Sequence, residues 1–286
     1  MEIAALLKQH QLRPRKSLGQ NFLADERVLA EIVASAGLTR EDVVVEIGAG
    51  LGGLTRHIAK AARHVVAVEI DQALLPALRA VLAEFPNCSI LHGDILQLDP
   101  AKLALDHLVT DRPINPSIQP HYKVVANIPY YITSAIIRHL FEAAIQPKTL
   151  VLTMQLEVAQ CLVARPNEMS LLAVSVQFYG VPHITQRIEA GAFYPAPEVD
   201  SAVVRIDLPD TPLFPTVKAE TFFKVARAGF GQKRKQLHNA LKAGLALPGE
   251  TITQALNAAQ IDPKRRAETL SLPEWVRLTE GMKTEG

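Results

Sequence analysis

A chain of 286 residues, 48% hydrophobic and 21% charged, is composed like a globular protein with a sizeable core, and it exceeds the usual size of one domain. Its two cysteines, Cys88 and Cys161, stand far apart with no CxxC pair or histidine cluster, which argues against a disulfide framework or zinc site; no metal is expected and a reducing cytoplasm fits. The amino terminus "MEIAALLKQHQLRPRK" has no apolar signal-peptide core, and no apolar run approaches the ~18 residues of a membrane span, so a cytoplasmic protein with no membrane partner is expected.

The net charge of +1 is unevenly spread. Residues 206–286 carry twelve Lys/Arg against nine Asp/Glu, and residues 1–205 carry eighteen against twenty. Six basic residues and no acid lie from Lys224 to Lys242, and four basic residues and no acid from Ile3 to Ala24. Local basic patches on a near-neutral body point to a polyanionic partner, with solvated helix faces as the plainer alternative.

From Val43 onward, short apolar runs alternate with amphipathic segments. "VVVEI" precedes a helical pattern over about 53–62, and "HVVAVEI" precedes one over 72–85. "SILHGDI" and "YKVVANI" follow, then a helix over 133–144 and the run "TLVLTMQ". This alternation predicts βαβ units, hence an α/β fold with a mostly parallel sheet covered on both faces. The polar, proline-rich segment 107–121 reads as a loop. "LAVSVQFYG", "HITQRIE" and "SAVVRIDL" read as further strands. After "LPDTPLFP" (208–215) only helices are predicted, over about 218–229, 232–245, 251–259 and 273–282, which places a domain boundary near Pro209–Pro215.

"VVEIGAGLGGLT" sits where the first strand of this series turns into a helix. Gly48, Gly50 and Gly53 satisfy G-x-G-x-x-G, and Glu69 ends the next strand where it can accept from ribose hydroxyls. That pattern serves dinucleotide enzymes and S-adenosylmethionine enzymes alike. Glu46, spaced Glu46-x-Gly48-x-Gly50-x-Gly52, favours the S-adenosylmethionine class. In "HGDIL", Asp94 is placed to read the exocyclic amine of adenine, with Ile70 and Ile95 on either side of the ring; taken alone, Asp94 also suits a helix cap.

"NIPY" (127–130) closes the strand "YKVVANI". The exocyclic amine of a nucleobase is a poor nucleophile because its lone pair is delocalised into the ring. The Asn127 side-chain oxygen and the Ile128 carbonyl can accept its two hydrogens and favour the pyramidal form. Pro129 holds the turn without a competing N–H, and Tyr130 offers a face on which an extruded base can stack. Asn127, Ile128, Pro129 and Tyr130 are therefore the candidate catalytic residues, acting by positioning and electrostatics with no general base.

With these motifs in order, the chain resembles the ribosomal RNA adenine dimethyltransferases over nearly its whole length. The resemblance runs from "KSLGQNFL" (16–23) through "EIGAG", "VEID", "GDIL" and "NIPYYIT" to "GAFYPAPEVDSAVV" (191–204), "FGQKRKQL" (230–237) and "IDPKRRAETLS" (261–271). It implies a Rossmann-like, seven-stranded methyltransferase domain over residues 1–208 and a small helical, RNA-binding domain over 209–286. It implies S-adenosyl-L-methionine as cofactor and dimethylation of two adjacent adenines near the 3′ end of small-subunit ribosomal RNA, in the 30S particle or its precursor. By the same resemblance Gln20, Asn21 and Leu23 contact the methionine end of the cofactor, beside Glu46, Gly48, Gly50, Glu69, Ile70, Asp94, Ile95 and Asn127. Phe193 and Pro195 join Tyr130 around the target base, and Lys233, Arg234 and Lys235 bind RNA. Cys161 replaces the family's usual arginine and the segment from Pro166 to Leu171 is short, so no RNA contact is carried onto those positions. The alternatives are a large-subunit adenine methyltransferase of the macrolide-resistance type and an assembly factor that binds RNA with catalysis secondary. A nicotinamide oxidoreductase lacks any evident hydride-acceptor site.

Overall fold

The computed structural model describes residues 2–108, 121–232 and 234–282. In chain order it contains α1 (Ile3–Gln9), β1 (Phe22–Leu23), α2 (Glu26–Ser35), β2 (Val43–Ile47), α3 (Gly53–Ala61), β3 (His64–Glu69), α4 (Leu75–Leu82), β4 (Cys88–His92), α5 (Pro100–Leu108) and β5 (Lys123–Asn127). There follow α6 (Thr133–Glu142), β6 (Thr149–Gln155), α7 (Leu156–Leu162), α8 (Leu171–Tyr179), β7 (Val181–Ile188), β8 (Phe193–Tyr194), β9 (Ser201–Asp207), α9 (Ala219–Phe230), α10 (Leu237–Leu245), α11 (Gly249–Ala258) and α12 (Leu272–Gly281). They form two compact units, Met1–Ala159 with His183–Leu208, and Gln160–Pro182 with Pro209–Gly286.

The first unit is built on a seven-stranded sheet of order β4-β3-β2-β5-β6-β9-β7, the Rossmann-like methyltransferase architecture. Strands β4, β3, β2, β5 and β6 are parallel to their neighbours, and β9 returns antiparallel to β6. Every residue of β2 is buried, as a central strand covered on both faces requires. The chain leaves β2 for β3 and β4 on one side and returns to β5 on the other. A crevice opens at such a reversal, beyond the carboxyl ends of the strands. Parallel pairing brings Ile47, Glu69 and Asn127 to that one edge. Beneath it Val28, Leu29 and Ile32 of α2 and Leu54 and Ile58 of α3 pack on Val44, Val125 and Val151. At roughly 1.5–3 kcal/mol per buried aliphatic side chain, this cluster is what anchors the rim residues.

The second unit is helical. Phe178 of α8 stacks on Phe222 of α9, with ring centres 4.2 Å apart, and Trp275 of α12 is fully buried beside Phe230. Three expectations are corrected here. "LAVSVQFYG" is helix α8, not a strand: Ser170 caps it by accepting from Ala173 N–H, and its apolar residues face the aromatic cluster of this unit. A nine-residue apolar run has no period that separates buried helix from buried strand. Residues 160–182 consequently belong to the helical unit, not to the sheet domain assigned to 1–208. The predicted helix over 232–245 starts only at Leu237, because the N–H groups of Leu237 and His238 donate to the carbonyls of Arg265 and Pro263. The predicted loop over 107–121 falls largely outside the described residues; His107 and Leu108 still belong to α5.

Candidate active site

A cleft of about 790 Å³, mouth included, opens at the edge where β2, β3 and β5 end. Residues 18–23, Glu46, Gly48–Leu51, Glu69, Ile70 and Asn127–Tyr130 are among those lining it.

The floor of the cleft is the turn after β2. Gly48, Gly50 and Gly52 adopt φ of 75°, 58° and 80°, a left-handed conformation that side chains resist. A Cβ at Gly50 would also stand 3.2 Å from the Phe22 ring. The Gly50 N–H donates to Glu69 Oε2 at 2.7 Å, and the Asp71 N–H donates to Glu69 Oε1 at 2.8 Å. Two backbone donors thus aim the Glu69 carboxylate while leaving lone pairs for hydroxyl donors. Burial raises its pKa, and those two hydrogen bonds oppose the rise.

Glu46 is 1% exposed. Burial pushes its carboxyl up to about 8, and the Glu69 charge adds to the rise. The Thr55 hydroxyl pulls the other way but falls short of a hydrogen bond: Glu46 Oε2 and Thr55 Oγ1 are both buried without a partner among the described residues. An orphaned carboxyl oxygen in the wall of a cleft calls for a donor or a cation from a ligand.

At the end of β5, the Asn127 Nδ2 donates to the Asn21 carbonyl at 3.0 Å. That bond orients the amide of this cleft-lining residue and leaves its Oδ1 free to accept. Pro129 follows at φ −58°, and the Tyr130 hydroxyl hydrogen-bonds Ser201 Oγ at 2.6 Å, tethering the ring at the cleft. Burial raises the Tyr130 pKa, so the phenol stays protonated.

The remaining predicted residues divide into several groups. Leu23 lines the cleft from β1, which pairs with β8 through Leu23 and Phe193. Phe193 itself is buried with Leu23, Val28 and Val125, and Pro195 is exposed; neither lines the cleft. Asp94 and Ile95 sit at the end of the neighbouring strand, where the Gly93 N–H donates to the Glu69 carbonyl at 3.0 Å. One Asp94 oxygen caps the following turn by accepting from the Leu96 N–H, and Ile70 is 48% exposed at the rim. Arg234 and Lys235 are exposed in the turn before α10, whereas Lys233 lies outside the described residues. Among the described residues there is no cluster of ligands able to hold a metal, and no helix long and apolar enough to cross a membrane.

Sequence reasoning missed Arg15 and Asp71. Arg15 Nη1 lies 2.9 Å from Asp71 Oδ1, so one member of the amino-terminal basic patch is committed to an internal partner. The aspartate directly after "VEI" was the available signal, but nothing in the sequence linked it to residue 15.

A model of the ribosomal RNA adenine dimethylases matches residues 11–283. Curated relatives named ribosomal RNA small subunit methyltransferase A include that of Dehalococcoides mccartyi strain CBDB1, 46% identical over 273 residues, which are 96% of this chain and 90% of the relative. Another, from Lactiplantibacillus plantarum, is 40% identical over 284 residues, 97% of this chain and 93% of the relative. Among solved structures, the 23S rRNA methyltransferase ErmE is 27% identical, with a TM-score of 0.71 over 92% of this chain and all of its own. A dimethyladenosine transferase from Plasmodium falciparum shares the fold at 22% identity, with a TM-score of 0.75 over 90% of this chain and 95% of its own.

Proposed function

Since the chain belongs to the ribosomal RNA adenine dimethylase family, we propose that it methylates the exocyclic amines of two adjacent adenines near the 3′ end of small-subunit ribosomal RNA, with S-adenosylmethionine as donor. The observation that carries the reading is the Asn127 amide, whose nitrogen is held by the Asn21 carbonyl and whose oxygen is left to accept at the end of β5. The small-subunit target is favoured over a large-subunit one because the small-subunit relatives reach 46% identity, against 27% for ErmE.

The cleft suits S-adenosylmethionine. Glycines at 48, 50 and 52 let the backbone approach a ligand, Glu69 keeps acceptor capacity for a ribose, and the orphaned Glu46 oxygen suits a cationic ligand. Asn21 and Leu23 would close over the methionine end, Gln20 serving that end only by holding the segment through its amide, with Ile70, Asp94 and Ile95 toward the adenine. When bound, the cofactor supplies an electrophilic methyl group on a sulfonium.

The chain's own groups do the rest. Asn127 Oδ1 and the Ile128 carbonyl accept from the target amine and hold its lone pair toward the methyl. Tyr130 stacks on the extruded base. Preorganised acceptors of this kind act without reorganising during the reaction. The basic segment of Lys233, Arg234 and Lys235 binds the phosphates of the 30S particle or its precursor.

The test is incubation of the protein and S-adenosylmethionine with small-subunit particles lacking the modification, read by primer extension. A new block at two adjacent 3′-terminal adenines is expected. Methyl incorporation confined to large-subunit RNA would overturn the assignment.

A further inference from the structure

Asp71 is 3% exposed and has no part in the proposed chemistry, yet three groups converge on its carboxylate. Oδ2 accepts from Gln20 Nε2 at 2.8 Å, Oδ1 accepts from the Ala73 N–H at 3.1 Å, and Oδ1 lies 2.9 Å from Arg15 Nη1. Two of the three come from one segment, residues 15–20, which is also closed on itself. The Arg15 N–H donates to Gln20 Oε1 at 2.8 Å, and the Gln20 N–H donates to the Arg15 carbonyl at 3.3 Å. Both ends of the Gln20 amide are therefore committed, one to Arg15 and one to Asp71.

From this anchor the same segment runs to the other side of the cleft. A Cβ at Gly19 would stand 3.2 Å from Pro129 Cβ, so the segment lies directly on the "NIPY" turn. One residue on, the Asn21 carbonyl accepts the Asn127 amide, and Phe22 covers Gly50. Asp71 also reaches Glu69 through its own N–H. Asp71 thus links, through its backbone N–H, the residue that aims at the ribose and, through its carboxylate, the segment that sets the orientation of Asn127.

We propose that Asp71 is a positioning residue for methyl transfer, seating residues 15–22 across the cleft through Gln20 and Arg15, so that the Asn21 carbonyl holds the Asn127 amide with its oxygen toward the reacting amine. It touches neither substrate nor cofactor. The proposal rests on the methyltransferase reading above.

The hydrogen-bond polarity supplies the test. Asp71→Asn keeps the shape but sets an amide N–H₂ against the Gln20 N–H₂. Gln20 cannot relieve the clash by flipping, because its oxygen is taken by the Arg15 N–H. Gln20→Glu alone sets two carboxylates together. The double variant, Asp71→Asn with Gln20→Glu, restores one donor facing one acceptor and keeps a carboxylate near Arg15. Losing a charged hydrogen bond of this kind corresponds to about ten- to hundred-fold. Single-turnover transfer to small-subunit particles at saturating cofactor should fall by that factor in each single variant and recover at least ten-fold in the double one. Melting temperatures report whether each variant is folded. Amide hydrogen exchange across residues 19–22 should quicken about ten-fold in Asp71→Asn and return toward wild type in the double variant, whether or not RNA is methylated. An inactive wild-type protein would overturn the functional reading, with the exchange data still deciding the seat. Unchanged exchange in a folded Asp71→Asn, or a double variant no better than the singles in either measurement, overturns the positioning role.

Discussion

Asn127 has its amide nitrogen engaged and its oxygen left to accept, an asymmetry with a kinetic consequence. Asn127→Ala should leave cofactor affinity nearly intact while slowing transfer by about 2.7–4 kcal/mol of transition-state stabilisation, the scale of one preorganised polar group in other enzymes. After the first methylation only one N–H remains on the target amine, so both acceptors cannot be engaged in the second step. The first transfer should therefore depend on Asn127 more than the second. Single-turnover rates on unmodified and monomethylated RNA separate the two, and equal losses would assign Asn127 a different role. Glu46 makes a second prediction at this scale. Its native pKa of about 8 lies above the ordinary carboxyl value of 4.5, so its stabilising contribution is complete below pH 4.5 and is lost as pH rises through 8. A cationic cofactor bound beside it, as proposed, would lower that pKa, and binding at pH 7 should then release about one proton. Calorimetry in two buffers of different ionisation enthalpy measures the release, and Glu46→Gln should abolish it. Proton-neutral binding by the wild type would show that the orphaned carboxyl does not meet the cofactor's charge.

Helix packing in the carboxyl-terminal unit depends on small residues where helices approach closely. A Cβ at Gly229 of α9 would collide with Trp275 Cη2 of α12, well inside contact distance. Alanine is the better helix former by about 1 kcal/mol, but inserting a methyl into a packed aromatic contact costs typically 1–3 kcal/mol. The clash should win, because Trp275 is fully enclosed and has no open side to move into. Gly229→Ala is expected to destabilise this unit by about 1–2 kcal/mol, read by denaturant titration of the fluorescence of Trp275, the only tryptophan. Cofactor affinity should not change, since the cleft residues belong to the other unit. An unchanged or raised midpoint would mean that the helices separate to accept the methyl at little cost. "LAVSVQFYG" reads poorly in the sequence for a separate reason: its Phe178 stacks on Phe222 and Phe214, whose proximity no local pattern encodes.

Across the whole molecule, a net charge of +1 conceals a basic stretch without acids from Lys224 to Lys242. Phosphate contacts release counterions, so each one lost should lower the salt slope of RNA binding by roughly 0.7–0.9. Neutralising Lys233, Arg234 and Lys235 together should weaken binding to small-subunit particles and flatten that slope, with cofactor affinity retained. Titrations at several salt concentrations check this, and an unaltered slope would reduce the turn to a solvated surface. The alternation of strands and helices, the strand-end positions of Glu69 and Asn127, and the all-helical stretch after Pro215 were legible in the sequence alone. They depend on local periodicity, on turn chemistry at glycine and proline, and on parallel pairing that carries strand ends to one edge. The return of residues 160–182 to the helical unit, the burial of Phe193 away from the cleft, and the clamp of Arg15 and Gln20 on Asp71 were decided only by tertiary structure. Each joins residues distant in the chain, and the free energy of such a contact resides in partners that neither residue's neighbourhood reveals.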